Sequence, residues 1–464
     1  MVETEQTGLV GFVRGLLRRF SMVLKLVGIG ILVLLLLIPL SMIHGVLDER
    51  LERRDQAVDE ITSTWGLEQR IFGPVWIIPY RYSFTAMEEQ ESANGLIKRQ
   101  QVVKTAVAQA YFLPEVLEVK GDVQTETRYR GIFRAAVYRG EIELNGSFAP
   151  PNWEALKIKP SDVLWNEARV TMAVSDLRGV REALQLQWDG KQHPLLPGCL
   201  VPGYDSGLTA PVGETGPLTG ARTFMVKLDL NGSKGLYFAP FGVQNRVKVV
   251  SNWAAPGFRG AFLPSQRNVS ATGFDALWQM TQYGRSYPSQ WTEKDSAKLF
   301  NLEAVKKSEF GVAFVSSLDV YRYVERSIKY GILFIVLLFT AFFLFELTSG
   351  LRLHPFQYSL VGATLCLFYL ALLSISEFWG FGLAYGLAAV AATLLTTWYS
   401  HHFLGAGYRT VIIFGGLVGV YGFLYITLKQ EDYALLMGTI GLFVVLAVVM
   451  YATRKINWYA GETR

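Results

Sequence analysis

One apolar run near the N-terminus, then about 285 residues without another of its length, then five in succession: this spacing constrains the 464-residue chain more than any other feature. A helix needs about 20 mostly apolar residues to cross a hydrocarbon core of roughly 30 Å. Residues 23–44 meet that length, with the run 29–39 at their centre. They are too long for the apolar region of a secretory leader, and Ser41-Met42-Ile43-His44 offers no small-residue cleavage site, so an uncleaved anchor is expected. The later runs cover 330–347, 357–373, 378–398, 411–428 and 434–451, joined by short loops that impose antiparallel neighbours. Composition agrees: 51% hydrophobic, 18% charged and a mean hydropathy of +0.25, against roughly 25% charged in a soluble domain. With only 2 Cys and no Gly period, a disulfide scaffold and a collagen-like chain are excluded. At a net charge of +5, no basic stripe suits nucleic acid.

Lys and Arg in short loops set orientation. With the N-terminus in the cytoplasm, Arg14, Arg18, Arg19, Lys25, Arg352, Arg409, Arg454, Lys455 and Arg464 fall on one side, and Glu377, Lys429, Glu431 and Asp432 on the other. Arg326 and Lys329 dissent, at the edge of a long translocated region where the rule weakens. The expected layout is a cytoplasmic amphipathic N-terminus (1–22) and a first transmembrane helix (23–44). A periplasmic domain (45–328), a five-helix bundle (329–452) and a cytoplasmic tail (453–464) follow. The N-terminal stretch, with Val10, Phe12, Val13, Leu16, Leu17 and Phe20 around its arginines, suits an anionic lipid leaflet.

The inserted domain opens with a helical stalk, 46–65, where Leu47, Leu51, Val58, Ile61 and Trp65 recur at helical spacing. From Val75 the period becomes two, and 133–138, 142–144, 170–174, 225–230 and 247–250 read as strands. Asn94-Gly95, Asn145-Gly146, Asp189-Gly190 and Asn231-Gly232 suit tight hairpin turns. The stretch 198–220, rich in Gly and Pro, reads as a long loop or junction. Residues 140–148 and 226–234 resemble each other, through an internal duplication or through shared turn chemistry. The expected fold class is an α+β membrane protein. Its six transmembrane helices, one N-terminal and five C-terminal, carry a large β-rich insert, sandwich-like, with two lobes as an alternative.

Catalytic signatures are missing. The five histidines (His44, His193, His354, His401, His402) form no metal-ligand spacing on a helix face. No nucleophile elbow, phosphate loop or dinucleotide fingerprint occurs. No enzyme activity, cofactor or metal is expected. Glu346 and Glu377 are more informative, because an ionised carboxylate within a span is costly and demands a partner. Arg352 or Arg409 would serve Glu346. The two acids lie about one hydrocarbon thickness apart, so they cannot act as a catalytic pair. A proton path between them would need polar residues, of which Thr364 and scattered tyrosines are the ones noted. Gly382-x-x-x-Gly386 and Gly415-x-x-x-Gly419 read as packing glue within the bundle.

Several strings together resemble the CreD family of bacterial inner-membrane proteins. They include Ser251-Asn252-Trp253, Gly260-Ala261-Phe262-Leu263-Pro264, Arg267, Gly273-Phe274 and Trp278. The pattern continues through Ala341–Glu346, Arg352-Leu353-His354-Pro355, Gln357-Tyr358, Ser376-Glu377 and Asn457-Trp458-Tyr459. The resemblance implies a multi-pass protein with a large periplasmic domain, tied to cell envelope integrity and envelope stress, and functionally linked to a two-component system. The family supplies no catalytic residue. It leaves two sets of candidates: Glu346, Arg352, His354, Gln357, Tyr358 and Glu377 in the membrane region, and Asn252, Trp253, Pro264, Arg267 and Trp278 outside it. Expected partners are membrane lipids and a periplasmic or inner-membrane protein. The alternative is a transporter or lipid-handling protein with proton coupling through Glu346 or Glu377.

Overall fold

The computed structural model describes residues 5–91, 97–216, 220–314, 320–349, 353–404, 407–430 and 433–454. Contacts divide the chain into a helical unit, residues 1–55 with 318–464, and a β unit, residues 56–317. Helix α1 (Glu5–Trp65) supplies residues to both. Short helices α2 (Glu293–Leu299) and α3 (Leu302–Lys307) belong to the β unit. The helical unit adds α4 (Val320–Lys329), α5 (Gly331–Ser349), α6 (Pro355–Leu404), α7 (Gly407–Lys429) and α8 (Ala434–Thr453).

The strands are β1 (Gln69–Glu91), β2 (Ile97–Phe112), β3 (Val116–Arg130), β4 (Phe133–Phe148), β5 (Arg169–Val174), β6 (Gln185–Trp188), β7 (Lys191–Pro194), β8 (Leu196–Pro197) and β9 (Gly207–Pro211). They continue with β10 (Arg222–Ser233), β11 (Gly235–Phe238), β12 (Gln244–Ser251), β13 (Pro256–Gly260), β14 (Gln266–Ser270), β15 (Gly273–Thr281), β16 (Gln290–Thr292) and β17 (Phe310–Phe314). One nine-stranded sheet runs β13-β17-β11-β1-β5-β9-β8, with β2 on β1 and β16 on β2. The other, of eight strands, runs β14-β15-β12-β3-β4-β10-β6-β7.

Strict alternation drives this pairing: β12 is buried at every second residue, so one face of it must find a partner. Trp76 of β1 meets Phe148 of β4 and Trp188 of β6, with ring centroids 5.8 and 5.3 Å away. Trp278 of β15 lies 5.8 Å from Phe310 of β17. Those contacts bridge the sheets, and one continuous hydrophobic cluster fills the space between them. The β unit is therefore a single sandwich, not two lobes.

Three sequence expectations change. Asn145-Gly146 and Asn231-Gly232 lie inside paired strands β4 and β10 rather than at turns. A Cβ on Gly146 would overlap the Val116 carbonyl, and one on Gly232 the Tyr138 ring, so these glycines permit close approach instead of positive φ. The resembling segments 140–148 and 226–234 are antiparallel neighbours, with Ile142 opposite Leu228. The Gly/Pro-rich stretch 198–220 contains β9, held between β5 and β8. Asp189-Gly190 does turn β6 into β7, both residues at positive φ (46° and 79°), as a tight hairpin requires. Asn94-Gly95 lies outside the described residues.

Among the described residues of the helical unit, four helices are long and apolar enough to span a membrane, or five if α4 and α5, which meet at 44°, form one span. Helix α6 is interrupted at Gly380, whose φ of 75° and ψ of 165° are not helical. Phe368 and Tyr385, on opposite sides of that break, have ring centroids 5.4 Å apart. Seventeen residues of straight helix would separate them by about 25 Å, so the chain folds back at Gly380.

Candidate functional site

The buried face of α1 in the helical unit is one stripe: Leu36, Leu40, Ile43 and Leu47 recur at spacings of three and four. Lys25 and Arg50 continue the stripe, because 25 residues are about seven turns. Each meets a carboxylate. Lys25 Nζ donates to Glu346 of α5 and to the Leu353 carbonyl at 3.1 Å, while the Tyr358 hydroxyl of α6 donates to Glu346 at 3.3 Å. Arg50 Nε lies 3.6 Å from Glu377 of α6, which also accepts the Tyr321 hydroxyl of α4 at 3.0 Å. The Arg54 guanidinium sits 5.8 Å from the Tyr321 ring centroid. Glu346 and Glu377 are only 11% and 6% exposed, so each needs its cation. The helix is pinned twice, at points about 37 Å apart along its axis.

Sequence reasoning identified both acids but did not name Lys25 as a cation for Glu346; of the two cations it did name, Arg352 lies outside the described residues. The overlooked signal was the seven-turn phase of Lys25 and Arg50. His354 and Gln357 have local work. The His354 N–H donates to Gln357 Oε1 at 2.9 Å, the Phe356 N–H donates to His354 Nδ1 at 3.2 Å, and Pro355 occupies the first turn. This is a reciprocal cap at the start of α6. A buried hydroxyl stripe also escaped notice: Thr393, Thr396 and Ser400 are buried, and the hydroxyls of Thr397 and Ser400 have no hydrogen-bond partner among the described residues. Among the described residues, nothing lies within 4 Å of a Cβ placed on Gly415 or Gly419, so they do not act as glue between the described helices.

In the β unit the highlighted residues hold the sandwich. Asn252 Oδ1 accepts from the Thr125 N–H and hydroxyl at 2.7 and 2.6 Å, and its Nδ2 donates to the Thr125 carbonyl at 3.1 Å. This extends the ladder of β3 beyond β12. Trp253 Nε1 donates to Ala255 O at 3.0 Å, and Trp278 Nε1 to Phe262 O at 3.2 Å. Pro264 is half-buried just before β14, and Arg267 is exposed on that edge strand. They do not converge on one site.

A different place has the form of a binding surface. The outer face of the eight-stranded sheet carries a shallow hollow of about 570 Å³ around Gly121. Lys227, Glu143, Lys120 and Lys248 form one cross-strand row, and Asp229, Glu141 and Asp122 the next. Like charges side by side destabilise a sheet; Arg181 lies 3.7 Å from Asp229 and the Gln124 amide donates to Asp122 at 2.7 Å, so the row is partly offset at its ends. Elsewhere in the unit, burial pushes the Cys199 thiol up, which disfavours the nucleophilic thiolate. Burial likewise raises the Glu309 carboxyl, against the pull of Arg70 at 3.2 Å. Burial also acts to raise the Asp176 carboxyl, but hydrogen bonds from Arg178 and the Leu67 N–H outweigh it and hold it below the ordinary value. Asp176 thereby fastens the segment joining α1 to β1. Among the described residues, no three His, Cys, Asp or Glu side chains could hold a metal.

A pinned set of apolar helices carrying an inserted β-sandwich defines a multi-pass membrane protein. The family model described as "Inner membrane protein CreD" matches residues 21–459, and the chain belongs to that family. It is 31% identical over 428 residues to the inner membrane protein CreD of Escherichia coli K12, covering 92% of each chain. The family is one of inner membrane proteins and its name designates no enzyme. Two solved structures of an M1 zinc metallopeptidase from Deinococcus radiodurans align at 10% and 9% identity, over 38% and 37% of this chain and 40% and 41% of theirs. Their TM-scores of 0.18 define no common fold.

Proposed function

We propose that the protein is a membrane-anchored binding module that contributes to cell envelope integrity and the envelope stress response. Its β-sandwich faces the periplasm and engages an envelope partner through the charged hollow; both termini are cytoplasmic. The two halves of α6 cross separately, α4 with α5 forms one span, and the total is six crossings. The spacing of the two latches supports this reading: about 37 Å along α1 covers the hydrocarbon core of roughly 30 Å and reaches the polar boundary on each side. The observation that carries partner binding is the acidic row Asp122–Glu141–Asp229 beside three lysines in one hollow. A photo-crosslinking residue at Lys120 should capture one reproducible envelope protein, and reversing Asp122, Glu141 and Asp229 to Lys should abolish capture. Unchanged capture after the reversal would reject the hollow as the docking place. The functional link to a two-component system belongs to this reading, with the sandwich reporting the state of its partner.

A second reading, transport or lipid handling with proton coupling through Glu346 or Glu377, draws on the hydroxyl stripe 393–400. Each acid already has a cation and a tyrosine hydroxyl, which suits an anchor better than a carrier. Wild-type phenotypes in E346Q and E377Q would remove the second reading.

A further inference from the structure

Strands β1 and β2 pair without interruption from Trp76 opposite Phe112 to Glu91 opposite Ile97. Their outer neighbours stop sooner. On the far side of β1, pairing with β5 ends at Ile77, and one bridge joins Tyr80 to Val163. On the far side of β2, β16 pairs only with 110–112. Among the described residues, 83–91 and 97–105 therefore form a ribbon two strands wide. Such a hairpin is marginally stable in water and gains from a third strand. Gln69, at the start of β1, donates to the Asp176 and Asn231 carbonyls beside the end of the stalk. The strand then covers about 43 Å before Tyr82, so the ribbon leaves the sandwich at the end away from the stalk.

Proteins blunt exposed strand edges with charges, prolines or shortness, because an open edge pairs with other chains. The outermost strands of the two sheets follow that rule. Strands β7, β8 and β13 carry Pro194, Pro197 and Pro256, β14 carries Arg267, and β16 has 3 residues. The β2 edge of the ribbon carries Lys104. The β1 edge does not follow it: Tyr82-Ser83-Phe84-Thr85-Ala86-Met87 has no charge, Pro or Gly. Phe84 and Met87 are 42% and 65% exposed. The Leu164 N–H reaches the Pro79 carbonyl from this side at 2.9 Å. Backbone groups alternate along a paired strand, so Ser83, Thr85 and Met87 also aim N–H and C=O outward, with no backbone partner among the described residues.

We propose that the Tyr82–Met87 edge takes up an extended segment of a partner polypeptide, which becomes the third strand of the ribbon. A polypeptide backbone is the chemistry that answers a row of alternating N–H and C=O groups. The edge is about 20 Å long and about 10 Å deep, roughly 200 Å² against the about 800 Å² per partner buried in a stable interface between folded surfaces. A second copy docked by this edge alone would not hold, whereas a linear segment draws its affinity from the backbone ladder. Side chains set the sequence it takes. Tyr80, Tyr82 and Phe84 form a ring ladder on one face, with successive centroids 6.3 and 5.9 Å apart, which favours aromatic or β-branched neighbours at alternate positions. Ser83, Thr85 and Met87 on the other face offer no charge to pair, so the segment is uncharged. The edge belongs to the nine-stranded sheet and the charged hollow to the other, so this inference stands apart from the hollow.

The test places a benzophenone amino acid at Ser83, and separately at Met87, in the full-length protein in cells. Each photo-adduct is mapped to a residue of the captured chain by mass spectrometry. One uncharged partner segment is expected, with the adduct displaced by about four residues between the two positions, as a strand in register requires. Thr85→Pro removes an outward N–H and leaves the β1–β2 ladder intact, so it should lower both adducts several-fold while thermal unfolding of the purified protein is unchanged. Thr85→Lys, which adds the kind of charge that guards other edges, should do the same. Adducts scattered over many sites, adducts on the same strand of another copy, no adduct, or adducts indifferent to both substitutions would each overturn the proposal.

Discussion

Replacing Lys25 with Met removes a cation from Glu346 and, among the described residues, leaves this nearly buried carboxylate facing the Tyr358 hydroxyl. Breaking a buried pair by deleting one partner costs about 3–5 kcal/mol. The Lys25 side chain is 26% exposed, which argues for the lower end, about 3 kcal/mol. Replacing both partners with apolar residues, Lys25→Met with Glu346→Leu, leaves no stranded charge and should recover most of that loss. The double-mutant cycle then gives a coupling of about 2–3 kcal/mol. Thermal unfolding of the detergent-solubilised full-length chain reads it: for a unit of about 200 residues, 3 kcal/mol corresponds to a Tm lowered by about 6–12 °C. Additive losses in the double variant, or a single variant as stable as wild type, would refute the view that Lys25 and Glu346 work as a pair.

Further outcomes follow from the same geometry. Gly362→Ala forces a methyl group onto Leu36 and should destabilise the helical unit by about 1–3 kcal/mol. Gly415→Ala, with nothing near it, should be neutral or stabilising by about 0.5–1 kcal/mol; equal losses in the two would restore the packing-glue reading. Gln357→Ala removes half of the cap on α6 and should cost about 1 kcal/mol by the same unfolding assay. Asp176 titrates below its unfolded value, so its contribution is present above the ordinary aspartate range and is lost as pH falls through the folded value. Tryptophan fluorescence should show wild type losing stability below about pH 4, while Asp176→Asn, weaker at pH 7, shows a flatter acid limb.

What the sequence revealed depended on whether a feature was periodic or spatial. The apolar runs, the stalk and the strands of β5, β10 and β12 announce themselves through repeats of 3.6 or 2, and they stand close to where they were expected. The Asn-Gly pairs misled because glycine serves two ends, positive φ and close approach, and dipeptide identity does not separate them: Gly190 turns a hairpin, whereas Gly146 makes room for Val116. Glu346 was conspicuous as a lone acid in an apolar run. Its partner was 321 residues away, and only the phase shared with Arg50 on α1 pointed to it. His354 and Gln357 became candidates through the family resemblance, and their spacing of three, that of a cap, was there to be read as well. The hollow around Gly121 was hidden because β12 lies next to β3 through a parallel pairing of distant segments.

Cysteine labelling tests the folded-back helix and its membrane placement together. In a C199S/C366A background, Trp379→Cys at the break and His402→Cys at the far end of α6 are each exposed to a membrane-impermeant maleimide in intact spheroplasts. The account predicts rapid labelling of Trp379→Cys from outside and labelling of His402→Cys only after permeabilisation. Both positions labelling from the same side would contradict it.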